Sequence, residues 1–179
     1  MPTFAPFEPL ARGTRDPAVT VRPARPDDAR AVAEVAAARG GEGLDVRSAL
    51  PGWAVDRARL VVVGEAGGAV VGWAMVAPWR RPGAEDGPHV SALTVHPAHR
   101  RRGVGDRLLG ALTDWTWERA VVLWSVVNAG NAASLALHRR HGFATVRAIG
   151  SYAGMTFEGG RGVLLRAAPT AAVTEGEAP

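Results

Sequence analysis

Neither cysteine nor lysine nor glutamine occurs in the 179 residues, and isoleucine occurs once, as Ile149. Without cysteine there are no disulfides, thiolate zinc sites, iron–sulfur clusters or cysteine nucleophile. Without lysine there is no Schiff-base chemistry, no pyridoxal-phosphate anchor and no P-loop lysine. All 21 basic side chains are therefore arginine, against 17 acidic ones, for a net charge of +4. The isoelectric point near 11.0 reflects the high pKa of arginine rather than a large excess of charge. So modest a charge predicts no nucleic-acid partner. No apolar run approaches the ~20 residues of a spanning helix, so no membrane partner is expected. No charged start followed by an apolar stretch marks a signal peptide, and a cytoplasmic location is expected. The missing residue types and the abundance of Ala, Gly, Val and Arg form a compositional bias, which is discounted before any residue is assigned a role.

What remains is a chain with 47% hydrophobic residues and zero mean hydropathy, as in a globular protein. Residues 1–18, with Pro2, Pro6 and Pro9, read as a flexible arm. Residues 19–166 read as a single domain, and 167–179 as a disordered tail rich in Ala, Thr, Glu and Pro. Val19–Arg22 alternates as a short strand. A helix is expected from Pro26 to Arg39, stopped by Gly40-Gly41, and a weaker one over Asp45–Ala54, interrupted at Pro51-Gly52. Leu60–Val63 and Ala69–Val76 are strands around Gly67-Gly68, and His89–Val95 is another. Val104, Leu108, Ala111, Leu112 and Trp115 form the packed stripe of a long helix over Gly103–Arg119. Val121–Val127 reads as a buried strand, Asn131–Arg140 as a helix, and Ala144–Ile149 and Gly162–Leu165 as closing strands. The order β-α-α-β-β-β-α-β-α-β-β is that of a mixed α/β layered domain.

Chemistry concentrates where the His89–Val95 strand passes into the long helix. Arg100-Arg101-Arg102-Gly103-Val104-Gly105-Asp106 sets three arginines and two glycines at the start of that helix. Free backbone N–H groups and the helix dipole favour an anion there, and glycine lets the backbone approach it closely. A solvated arginine cluster is the bland alternative. A P-loop would need a lysine followed by Ser or Thr. A dinucleotide fingerprint would need a third glycine where Leu108 stands. Arg100-x-x-Gly103-x-Gly105 instead resembles the pyrophosphate-binding motif of the GNAT superfamily of N-acetyltransferases. Asn131-x-x-Ser134-x-x-Leu137-His138-x-x-x-Gly142-Phe143, one strand after the long helix, is similar to that family's later coenzyme-A segment. Val71–Ala74 with Pro78-Trp79-Arg80, and the stretch Asn131–Phe143, also resemble the phosphinothricin and amino-acid N-acetyltransferase branch.

The resemblance implies a mixed, mostly antiparallel sheet of about six to seven strands with helices on both faces, its fourth and fifth strands splayed around acyl-CoA. It implies acetyl-CoA as co-substrate and no metal, consistent with His96 and His99 lacking an evident third ligand. Main-chain contacts to the acetyl and pantetheine groups would come from Leu93, Thr94 and Val95. Arg100, Arg101, Arg102, Gly103, Val104, Gly105 and Asp106 would hold the pyrophosphate. Asn131 and Ser134 would meet the pantetheine or nucleotide. His138 stands where the family often carries a tyrosine that protonates the departing thiolate; a protonated histidine could do the same.

The chain departs from the family twice. Many relatives place a glutamate base on the strand that ends at Val95; here Val90 or Ser91 takes that place. His89 and Ser91 are the nearest polar candidates, and strand alternation predicts both on the face of Leu93. Glu85 and Asp86, on the preceding loop, are close enough to fold back. Arg101 replaces a frequent glycine, a change that is harmless if its backbone angles are ordinary. On the acceptor side, Trp79 and Tyr152 are candidate substrate-binding residues, with Trp53 and Arg147 as further candidates; Trp53 and Trp79 are expected on loops. The implied function is transfer of an acetyl group to the primary amine of a small molecule, such as an amino acid, an amine metabolite or an antibiotic-like compound. The alternatives are acetylation of a protein N-terminus or side chain, and a non-catalytic acyl-CoA-binding module. Homodimers are frequent in the family.

Overall fold

The computed structural model describes residues 14–38, 45–119 and 121–169. Valine-rich segments build its centre. β2 (Leu60–Ala66) and β3 (Ala69–Pro78) form a hairpin around Gly67 and Gly68, whose φ angles of 58° and 79° suit the tight turn. Before them come β1 (Thr20–Pro23), α1 (Ala29–Ala37) and α2 (Val46–Val55). After them follow β4 (Pro88–Val95), α3 (Val104–Trp117), β5 (Leu123–Asn128), α4 (Ala132–Arg140), β6 (Ala144–Ile149), β7 (Ser151–Tyr152), β8 (Met155–Thr156) and β9 (Gly162–Ala167). The expected stop of the first helix at Gly40-Gly41 lies outside the described residues, as do most of the arm and the tail.

The sheet runs in the order β1-β2-β3-β4-β5-β9-β6, and all its pairings but one are antiparallel. Strand alternation gives it two apolar faces. Val61, Val63, Trp73, Met75 and Ala77 pack under α1 and α2 against Val32, Val35, Val46 and Leu50. Val62, Val71, Ala74 and Val76 pack against Val104, Leu108, Leu109 and Leu112 of α3. Those three leucines are fully buried, each contributing about 2 kcal/mol by the area it removes from water. Close approach of α3 needs Gly72, where a Cβ would stand 2.9 Å from Val104 Cγ1.

Two local expectations are corrected. α2 runs through Pro51 rather than breaking there. Asp45 caps it by accepting the Ser48 N–H, and burial of Val46 and Leu50 outweighs the missing proline donor. Trp53 lies within α2, not on a loop, and stacks on Trp73 at 6.5 Å, so it belongs to the core. The short β7–β8 hairpin is an addition to the expected order. Its side chains Tyr152 and Met155 join Phe157 and Leu164 in a third apolar cluster, flanked by Trp79 and Trp124.

Candidate acyl-CoA and acceptor site

β4 and β5 are the parallel pair, and they register at one point, His89 opposite Trp124. Past that point the strands part, β4 running on to Val95 and β5 to Asn128. The two predicted cofactor segments follow directly from these parted ends, with the arginine–glycine loop after β4 and Asn131–His138 after β5.

In the loop after β4, Arg100 is extended, Arg101 has φ 63° and Gly103 has φ 86°. The left-handed turn at Gly103 starts α3 and leaves the N–H groups of its first turn without intrahelical acceptors. Positive φ makes glycine the fitting residue at 103. It also makes Arg101 a strained one, so the condition that its angles be ordinary is not met. Side-chain volume is scarce on the neighbouring surface: a Cβ on Gly105 would lie 3.4 Å from Leu137 of α4. This contact joins the two cofactor segments. Asn131 caps α4, its Oδ1 accepting the Ser134 N–H at 2.9 Å. Open amides, a φ-positive glycine and surrounding arginines are the donor set a pyrophosphate requires. Leu93, Thr94 and Val95 occupy the parted end of β4, with Thr94 buried and the other two partly so.

The Asp106 carboxylate, also in the first turn of α3, is met by two arginines and a histidine. Arg15 Nη2 lies 2.6 Å from Oδ2, and Arg140 Nη2 and His141 Nε2 each lie 3.3 Å from Oδ1. Burial pushes the carboxyl pKa up, but hydrogen bonds from His141 and Arg140 prevail and hold it below its usual value. The side chain accepts only, so of Asp106 the backbone N–H alone suits an anion.

His138 is 2% exposed. Its Nδ1 donates to Ser134 O at 2.8 Å, which leaves Nε2 to accept from the Ser125 hydroxyl at 2.9 Å. Burial lowers its pKa to about 4. This geometry does not suit the proton-donor role expected at the family's tyrosine position, because at neutral pH the ring carries one proton and that proton is bound to Ser134.

At the other end of β4 the register shifts between Met75 and Val76: Val76 pairs with Val90 and Met75 with Ala92. Ser91 is thus the extra residue of a β-bulge. A bulge reverses the alternation beyond it. His89, paired with Ala77, is therefore not on the face of Leu93, paired with Ala74; Leu93 packs toward α3 and Ala77 toward α1 and α2. Strand alternation alone misplaces His89 for this reason.

The structure nonetheless brings His89, Ser91, Trp79 and Tyr152 together, with Arg147 joined through Glu85, while Trp53 lies apart in α2. Trp79 stacks on His89 with ring centroids 4.7 Å apart and planes 8° from parallel. The Trp79 indole N–H donates to Ser91 Oγ at 2.6 Å, and that hydroxyl lies 3.2 Å from His89 O as its donor. His89 is fully buried; Nδ1 donates to Gly87 O and Nε2 accepts from the Tyr152 hydroxyl. Burial lowers its pKa. Tyr152 in turn accepts the Glu85 N–H, and Glu85 pairs with Arg147 at 3.0 Å. Beside this cluster opens a pocket of about 510 Å³ lined by residues including Trp79, Arg80, Arg81 and Asp86. The Arg81 guanidinium sits 5.6 Å from the centre of the Trp79 ring. Sequence reasoning did not assign Arg80 and Arg81 to the site; their position two and three residues before Gly83, on the loop between β3 and β4, was the available signal. Among the described residues no group of three His, Asp or Glu side chains could hold a metal ion. No helix among them is long and apolar enough to cross a membrane.

A mostly antiparallel sheet opened between its two parallel strands, with a glycine-started helix at one exit, defines a mixed α/β class of fold. The chain belongs to the acetyltransferase (GNAT) family, whose pattern residues 31–143 match. It is 37% identical over 116 residues to the mycothiol acetyltransferase of a Parafrankia species, covering 65% of this chain and 34% of that protein. It is 34% identical over 96 residues to the L-methionine sulfoximine/L-methionine sulfone acetyltransferase of Pseudomonas aeruginosa, covering 51% of this chain and 56% of that one. The matches thus span a third to just over half of these relatives. Among solved structures, YncA of Salmonella typhimurium with its cofactor acetyl-CoA shares the fold at TM-score 0.71 and 23% identity, over 90% of this chain and 99% of that one. The ribosomal-protein-alanine N-acetyltransferase of Brucella melitensis has TM-score 0.68 and 27% identity, over 83% of this chain and 99% of its own.

Proposed function

We propose that this chain is an acetyltransferase that moves an acetyl group from acetyl-CoA to the primary amine of a small molecule. The observation that carries this reading is the parting of β4 from β5 after the His89–Trp124 register point, with the Gly103 cradle at one exit and the Asn131 cap at the other. Bound acetyl-CoA supplies an activated thioester. The residues of Arg100–Asp106 hold its pyrophosphate, and β4 around Leu93–Val95 offers main-chain groups to its acyl end.

The chain's own part in the chemistry is positional. His89, Ser91 and His138 are each committed to hydrogen bonds, and both histidines are pushed toward the neutral form. They shape and dry the site; none is free to take a proton from the attacking amine. Transfer then rests on holding a neutral amine against the thioester carbonyl, an arrangement that supplies much of the acceleration by itself.

Arg80 and Arg81 lie by the acceptor pocket, and among the described residues neither forms an ion pair. Their charge favours an amine that also carries an anionic group, as an amino acid does, over a basic protein segment. The kinship with acetyltransferases of mycothiol and of methionine sulfoximine points to small acceptors too. A panel of amino acids, simple amines, aminated antibiotics and peptides, incubated with acetyl-CoA and read by mass spectrometry, tests the reading. Acetylated amino acids support it. Acetylation of peptides alone, or CoA binding without turnover on any amine, overturns it.

A further inference from the structure

Residues 15–19 lie outside the part of the chain that matches the family, yet they are fastened to the phosphate cradle. Val19, fully buried in the core that α3 covers, anchors one end of this strap. Ala18 N–H donates to Asp16 Oδ1 at 2.9 Å and Val19 N–H to Asp16 O at 3.4 Å, which turns the chain back over the loop. Asp16 N–H then donates to Arg102 O at 3.1 Å, and Arg107 Nη2 donates to Pro17 O at 3.3 Å. These contacts set Arg15 over the start of α3. Its Cγ lies 3.2 Å from where a Cβ of Gly103 would stand, so the arginine stem covers the glycine that opens the helix. Its guanidinium reaches Asp106 through one nitrogen, and the side chain is 71% exposed.

We propose that Arg15 is a phosphate ligand for the coenzyme, supplied by the segment that precedes the family domain. The inference rests on the reading of the Arg100–Asp106 loop as the pyrophosphate site. Arg15 stands against the turn whose amides would face that anion, and its remaining N–H groups have no protein acceptor among the described residues. A planar guanidinium can serve a carboxylate and a phosphate at once, or pass from one to the other. Asp106 loses little when it does, because Arg140 and His141 also serve its carboxylate. Asp106 thus acts as the post that holds a movable cation beside the cradle. Without its cations, that carboxylate would repel a pyrophosphate on the same helical turn.

Calorimetric titration of CoA into the full chain, Arg15→Lys and Arg15→Ala tests this. Arg15→Ala should weaken CoA binding about tenfold, as loss of one charge-assisted contact does, and Arg15→Lys less. The loss should shrink at high salt. The Michaelis constant for acetylpantetheine, which carries no phosphate, should not change, whereas a merely structural role would weaken both donors alike. CoA affinity that is unchanged or raised in Arg15→Ala, or an equal loss for acetylpantetheine, overturns the proposal while leaving the cradle reading intact. Failure of the unmodified chain to bind CoA overturns the cradle reading itself. Unchanged thermal unfolding of the variants separates lost contact from lost fold.

Discussion

The Tyr152 hydroxyl lies 2.8 Å from Nε2 of His89 and joins the β7–β8 hairpin to the start of β4. With Nδ1 donating to Gly87 O, the ring is held as the Nδ1–H tautomer, and Tyr152 must be the donor to Nε2. The same hydroxyl accepts the Glu85 N–H, so one oxygen ties strand, loop and hairpin together beside the pocket lined by Trp79. Tyr152→Phe leaves the buried Nε2 without its donor and the Glu85 N–H without its acceptor. The expected cost is about 1–3 kcal/mol, seen as a lower denaturation midpoint. The Michaelis constant for the amine should rise while that for acetyl-CoA holds. Equal changes in both constants would mean that the hydroxyl serves the fold at large and not this pocket.

His138 makes stability depend on pH. Its pKa is about 4 in the fold against 6.5 unfolded, through burial. A depressed histidine pKa means that the unfolded chain binds the proton first. The contribution is therefore full above pH 6.5 and is lost as pH falls from there toward 4. At the limit it amounts to about 3 kcal/mol. His89, also shifted down by burial, acts with the same sign. Unfolding midpoints measured from pH 7 to 4 should fall over that window, and His138→Phe should flatten the fall. A midpoint that stays level across the window would contradict the neutral, buried ring.

Arg101 occupies a left-handed backbone position, φ 63°, where the family frequently has glycine. A side chain there costs about 1–2 kcal/mol, offset in part by the extra freedom glycine gives the unfolded chain. Arg101→Gly is therefore expected to raise stability by roughly 0.5–1 kcal/mol. Affinity for CoA reports separately on the lost charge, and a decrease of a few-fold would show that this exposed arginine serves the phosphates. A loss of stability would mean that the arginine makes contacts that outweigh the strain.

The elements were largely legible because their signals are local: Gly67-Gly68 between valine runs, the Val104–Trp115 stripe, and Asn131 ahead of α4. The helix start that carries Arg100, Gly103 and Gly105 is legible for the same reason, and its cofactor role is what the family resemblance implies. Other features depend on how distant segments meet. The bulge at Ser91 arises from pairing with Met75 and Val76, so the reversed facing of His89 could not be read from alternation. The neutral state of His138 comes from Ser125 on β5 and from burial. Tyr152, in contrast, is an acceptor-side candidate on sequence grounds, yet its partner His89 is distant in sequence and meets it only in the fold.

Arg80 and Arg81 set a charge test for the acceptor. If they recognise an anionic group, Arg80→Ala and Arg81→Ala should each lower kcat/KM for an amino acid by about tenfold, the worth of one lost charge-assisted contact. The corresponding amine without its carboxylate should be unaffected. An equal loss on both acceptors would assign the arginines to the shape of the loop, where Arg81 already lies against Trp79.

The hydrogen bonds that occupy His89, Ser91 and His138 lead to a specific pH–rate expectation. An enzyme base of pKa near 6 to 7 would give log kcat/KM a limb at that pH whatever the amine. If instead the amine attacks as the small neutral fraction present in solution, the limb follows the acceptor's own pKa. Two acceptors whose amines differ by about a unit of pKa should then show limbs displaced by about a unit. Ser91→Ala should leave the limb in place, because its hydroxyl is bound to the Trp79 indole and to His89 O. A limb that stays near 6 to 7 for both acceptors would show that a side chain takes the proton. His89 would then be the first candidate, since it needs only release from Tyr152 to expose Nε2.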